Sequence, residues 1–221
     1  MSIHEIAVKY ASYLAHELEN DRRQELRMAY GLEILLGEIV KQFVIILSSW
    51  LLGVFPEVFT MSMAAGFLRL ASGGEHCSEY YRCLVGGTIW FLLLGGGIHY
   101  IYPHLNTMGI YSIISISLMI ALVIIMKYAP AETENKPITS EKELVKLRRL
   151  SVVITLVFGL VMIAWATTDF LRFLILPLAA GMLEQVFTIT PWGYNFIHFI
   201  DRVLDFDKWS NKIHGSEGTN S

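Results

Sequence analysis

From Leu84 to Met126 the chain runs 43 residues without Asp, Glu, Lys or Arg. A helix needs about 20 apolar residues to cross the hydrocarbon core of a bilayer, where backbone polar groups must find partners inside a helix or a closed barrel. Two spanning helices therefore fit, near 84–101 and 107–126, and Pro103, His104, Leu105 and Asn106 supply the polar turn between them. A second charge-free stretch runs from Gln42 to Pro56 and extends back through Ile39 and Val40, with Glu38 and Lys41 near its entry, where a long side chain can snorkel. The run from Val58 to Leu68, ending at Arg69, is short for a full crossing. Two more apolar runs, 150–168 and 170–190, are separated near Asp169 and Arg172, and Pro177 is expected to kink the second. The expected fold is all-α: a polytopic membrane helical bundle with five or six membrane segments, forming a single domain over residues 1–221.

Composition agrees, since 54% of the residues are apolar and 17% are charged, against roughly 45–50% and 25% in soluble domains. A net charge of −3 gives no field that would favour nucleic acid. Two cysteines, Cys77 and Cys83, make no disulfide framework, and the gap between them lacks the spacing of a metal knuckle. Residues 1–30 mix Lys9, Arg22, Arg23 and Arg27 with several acids, so no cleaved signal peptide is expected. Within them Ile6, Tyr10, Tyr13, Leu14 and Leu18 recur at helical intervals, as in an amphipathic helix on the cytoplasmic side, lying either on the inner leaflet or against the bundle.

Basic residues in short loops favour the cytoplasm. The loop at 127–149 holds Lys127, Lys136, Lys142, Lys146, Arg148 and Arg149, and it is placed inside together with both termini. An even number of crossings must then separate the N-terminus from that loop, which favours 58–70 as a crossing and puts the segment from Arg69 to Cys83 at the cytoplasmic face. The polar tail at 211–221 is expected to be disordered.

The segment from Arg69 to Cys83 crowds Arg69, Glu75, His76, Glu79 and Arg82 with both cysteines between apolar runs. Polar groups at the edge of a bundle are costly unless they are paired or used. Gly73 and Gly74 permit a reversal just before His76. An imidazole near a thiol is the usual activator of a nucleophilic cysteine. His76 and Cys83 are seven residues apart, about 10.5 Å along a straight helix, so they can pair only if His76 folds back from the turn and the helix begins near Ser78. Cys77 is an alternative nucleophile. A zinc site of His76, Cys77 and Cys83 lacks a fourth ligand.

Arg69, Gly74, His76 and Cys83, followed by two uncharged spans, then Lys127-Tyr128-Ala129-Pro130-Ala131 and Lys136-Pro137-Ile138, resemble the accessory gene regulator B (AgrB) family of membrane cysteine endopeptidases in Gram-positive quorum sensing. The resemblance implies that an AgrD-type propeptide is cut near its C-terminus from the cytoplasmic side. By the same resemblance Cys83 is the nucleophile, His76 its base, and Arg69, Gly73 and Gly74 support the site. It implies no cofactor, and it suggests a homodimer in the cell membrane. An acyl-enzyme at Cys83 is then attacked by a cysteine or serine of the substrate, which closes a thiolactone or lactone.

No third catalytic residue is assigned among Ser72, Glu75, Glu79 and Glu184. In place of the family's basic residues after Tyr-Ala-Pro-Ala stand Glu132, Thr133, Glu134 and Asn135, and Arg148 and Arg149 are open to two readings, substitutes for handling an acidic tail or a solvated face. Two other classes remain open on residue types alone. One is a small transporter or permease component with Asp169, Arg172 and Glu184 along a path; the other is a scaffold that anchors a partner through the basic loop.

Overall fold

A computed structural model describes residues 3–18, 21–74, 80–131 and 140–204. Among them the chain is helical, with eight α-helices and two short 3-10 turns. It forms two compact units, Met1–Ser48 and Ser49–Ser221. The tail at 211–221 lies outside the described residues.

In the first unit, α1 (Ile3–Glu17) and α2 (Arg22–Leu51, whose last residues enter the second unit) stand where one helix over residues 1–30 was expected. The break is written in the sequence as Asp21-Arg22-Arg23-Gln24. Asp21 Oδ1 accepts from the Gln24 N–H at 2.7 Å and the Asp21 N–H donates to Gln24 Oε1 at 3.1 Å. This reciprocal pair satisfies two of the donors that a helix start leaves open. On α1 the expected apolar stripe faces outward at Tyr10, Tyr13 and Leu14, whereas Ala7, Ala11 and Ala15 are buried.

The second unit contains α3 (Phe55–Ser72), α4 (Tyr80–Ile101), α5 (Thr107–Tyr128), α6 (Glu141–Thr168), α7 (Ile175–Thr188) and α8 (Pro191–Val203). Helices α2, α4, α5 and α6 are each long and apolar enough to span, and α7 with α8 makes a fifth candidate bent by 87°. The chain is thus an all-α polytopic bundle. The turn expected at 103–106 is present: Asn106 caps α5 by accepting from the Gly109 N–H at 2.7 Å.

Three expectations change. The basic loop at 127–149 is helical over 141–149, because α6 begins at Glu141 behind Ser140, with Glu141 and Glu143 favourably placed in its first turn. Pro177 does not kink a span; it sits in the first turn of α7, where no intrahelical donor is lost. The run 170–190 holds a 14-residue helix followed by a corner, and beyond it α8 forms where no element is expected.

The buried face of α6 is mostly small, whereas α5 buries isoleucines beside Ser117 and Ala121. Along α5 the buried positions are Ile110, Ile114, Ser117, Ala121 and Ile125, while Met119, Val123 and Met126 point outward. Along α6 they are Ser151, Thr155, Gly159, Met162 and Ala166. Small faces let helix backbones approach closely, which gives packing where lipid removes the usual drive to associate.

Helix α3 is enclosed by α4, α6 and α7, with Val58, Met61, Ala64, Leu68 and Ala71 buried. Its 18 residues reach about 27 Å, close to the thickness of a hydrocarbon core. It lies antiparallel to α4. Val58 fills the space that a side chain at Gly95 would take, and the buried Glu57 carboxylate meets His99 Nδ1 at 2.6 Å. At α7 the approach is closer still, since a Cβ on Gly181 would collide with the Met61 carbonyl oxygen. Gly181→Ala should therefore cost about 1–3 kcal/mol, read as a lower midpoint of thermal unfolding in detergent, whereas Gly96→Ala, which has no neighbour within 4 Å, should lose only a few tenths or gain.

Candidate functional site

The antiparallel pairing of α3 and α4 brings the end of α3 and the start of α4 to the same end of the bundle. There α3 stops at two glycines that no other residue suits. Gly73 has φ +69° and Gly74 φ +133°, conformations that L side chains rarely adopt. Each also lacks room. A Cβ on Gly73 would strike the Ala131 carbonyl oxygen, and one on Gly74 would lie 3.2 Å from Thr188 Oγ1.

Two straps hold this bend. The first is backbone: the Ala131 N–H donates to the Ser72 carbonyl at 2.8 Å, forming an isolated parallel bridge between Gly73 and Ala131. Ala131 belongs to the Tyr-Ala-Pro-Ala segment, whose Ala129 is buried and whose Ala129-Pro130 peptide is cis. Arg148 Nε donates to the Ala129 carbonyl at 2.7 Å, so α6 holds the segment in turn. The second strap is Gln185 of α7, fully buried, whose Nε2 donates to Ser72 Oγ at 2.9 Å and to the Gly73 carbonyl at 2.8 Å. Nothing in the sequence marked Gln185 except its polarity in an apolar run.

Cys83 lies in the first described turn of α4 and is half-buried. Its neighbour Arg82 is turned inward toward α8, with Nη1 3.3 Å from the Asp201 carbonyl and 3.8 Å from Asp201 Oδ1. Arg82 Nε donates to the Tyr81 hydroxyl, which donates to the Leu204 carbonyl at 3.2 Å. One turn along, Gly86 faces Ile200, leaving no space for a Cβ there. The start of α4 is therefore fixed by α8, while the end of α3 is fixed by α7 and the Tyr-Ala-Pro-Ala strap.

Of the expected site residues, Arg69, Gly73 and Gly74 fall together over the last turn of α3 and its bend, with Arg69 half-buried. His76 lies outside the described residues, as do Glu75, Cys77, Ser78 and Glu79 in the connection 75–79. So do Glu132, Thr133, Glu134, Asn135, Lys136, Pro137 and Ile138. Arg172 is at the far end, where it bonds Asp169 and Thr107 at 2.8 Å each. Among the described residues no three His, Cys, Asp or Glu side chains gather to hold a metal ion.

The family model described as accessory gene regulator B matches residues 7–189. The chain belongs to the accessory gene regulator B family. It is 24% identical over 187 residues to accessory gene regulator protein B of Staphylococcus aureus (strain MW2), covering 85% of this chain and 94% of that one. It is 26% identical over 156 residues to the same-named protein of Staphylococcus saprophyticus, covering 69% and 77% respectively. An AgrB-like protein of Listeria welshimeri is 26% identical over 181 residues, covering 81% and 83%. No solved structure matches the chain. In this member of the family the Tyr-Ala-Pro-Ala motif serves as the partner that pins the double glycine.

Removing the Gln185 donors leaves the Gly73 carbonyl and the Ser72 hydroxyl with only the long 3.4 Å bond between them in a buried place. Gln185→Leu should thus destabilise by about 1–3 kcal/mol, measured by thermal unfolding in detergent. Arg148→Ala should loosen the same bend, seen as faster amide exchange at Ala131, and Arg149→Ala should leave that exchange unchanged.

Proposed function

We propose that this chain is the membrane cysteine endopeptidase of an accessory gene regulator quorum-sensing system and that it matures an AgrD-type propeptide. Family membership supports a role in that system. The observation that carries the finer reading is the pinned bend at Gly73 and Gly74. It starts a five-residue connection bearing His76, between antiparallel helices, and the second of these carries Cys83 in its first described turn.

In this reading His76 takes the Cys83 proton as the thiolate attacks a carbonyl near the propeptide C-terminus. The tetrahedral intermediate collapses, the tail leaves as an amine with the proton from His76, and the remainder stays as a thioester on Cys83. A thiol or hydroxyl within the substrate then attacks that thioester, closes a ring and returns the Cys83 thiol. A thioester retains much of its acyl-transfer potential, so water must compete poorly. Half-burial of Cys83 and tethering of the second nucleophile both favour ring closure over hydrolysis. Gly73 and Gly74 hold the bend, and Arg69 supports it from the last turn of α3. With α3 counted as a crossing beside α4, four crossings precede Lys127, which supports a reading with both termini and the site at the cytoplasmic face.

The test uses purified protein in lipid with a candidate propeptide, read by mass spectrometry. Wild type should release the tail and show a thioester adduct on Cys83 that hydroxylamine removes. Cys83→Ala should abolish both while the protein still inserts and binds the propeptide, and His76→Ala should slow cleavage about 10²–10⁴-fold. Cleavage surviving in Cys83→Ala would sink the reading, and a transporter or scaffold would show no adduct at all.

A further inference from the structure

Helix α8 lies beyond residues 7–189, the part of the chain matched to the family. It begins at a built corner. Thr190 Oγ1 donates to the Phe187 carbonyl at 2.7 Å and accepts from the Gly193 N–H at 3.1 Å, and a Cβ on Gly193 would strike that same carbonyl. The corner turns the chain by 87°, so α8 runs across the end of the bundle instead of along it.

At 3.6 residues per turn the 13 residues of α8 divide into three sectors. One contains Gly193, Ile197, Ile200 and Asp201 and faces the bundle, meeting Gly86 and Arg82 of α4. A second contains Asn195, His198 and Arg202, all exposed. The third contains Trp192, Phe199 and Val203, which are 73%, 56% and 55% exposed. Helices that only pack on a protein have two sectors, one covered and one wet. A third sector, apolar, contiguous and uncovered, fits a third environment.

We infer that α8 docks on the lipid surface at the membrane–water boundary, with Trp192, Phe199 and Val203 among the acyl chains and Asn195, His198 and Arg202 among the headgroups. The lipid-facing side of α4 supports this occupant. Its outward residues Val85, Ile89 and Leu93 flank Gly86 and Trp90, on which Ile200 and Phe196 of α8 rest, so the uncovered apolar sector continues the hydrocarbon-facing belt of a span. A helix lying in the plane of the interface with an aromatic ring at its start suits such a position, because tryptophan combines an apolar body with a polar N–H. Since α8 also holds Tyr81 and Arg82, its depth sets that of Cys83, at the level of the headgroups. The inference stands on membrane residence and not on the peptidase reading.

The test is a spin-label scan of the full chain with Cys77→Ser and Cys83→Ser, reconstituted in liposomes of phosphatidylglycerol and phosphatidylethanolamine. Single labels are placed at 192, 199 and 203 and at 195, 198 and 202, so that each sector stays readable if one substitution disturbs insertion. The ratio of collision with oxygen to collision with a water-soluble nickel chelate should be several-fold higher at the first three sites than at the second three. Equal ratios with strong chelate collision at 192, 199 and 203 would place that sector in water and overturn the inference. Exclusion of both reagents there would show protein cover, such as a second copy, and would overturn it equally.

Discussion

Within a bilayer the hydrophobic effect no longer drives helices together, so α3 is held by direct backbone approach. Gly181 sets α7 against the Met61 carbonyl, Gly95 admits Val58, and Gln185 reaches the last turn of α3. Enclosed in this way, α3 need not be uniformly apolar. Its Glu57 carboxylate meets His99 and its Ser72 hydroxyl meets Gln185. The two groups lie in the first and last turns of α3, and each has a protein partner there.

That enclosure fixes where the chain can bend. The Gly73–Gly74 turn is held by a backbone bond to Ala131 and a side chain from α7, while Cys83 is held from the other side by α8 through Arg82 and Gly86. Two neighbouring segments are thus positioned by separate parts of the molecule. A reactive centre benefits from such support, because small displacements of a nucleophile lower rates strongly.

The spans around 84–101 and 107–126 were legible because absence of charge over 43 residues has few explanations. The capped turn at Asn106 was legible too. Gly73, Gly74 and Cys83 stood out as glycines and a thiol among polar residues between apolar runs. Gln185 did not, since its value depends on facing Ser72, 113 residues away. The corner before α8 left a local trace in Thr190-Pro191, a capping residue followed by proline, but the apolar run continuing through Ile189 masked it.

The sequence by itself determined that this chain is a helical membrane protein, where its long spans run, and which short segment concentrates polar and nucleophilic groups. These follow from composition over windows of tens of residues, and a bilayer imposes them on any chain. Only the tertiary structure decided that Tyr-Ala-Pro-Ala pins the double glycine, that α3 is enclosed, and that α7 turns into α8 across the end of α4. Those facts depend on which small face meets which carbonyl, a matter of contacts between residues far apart in the chain.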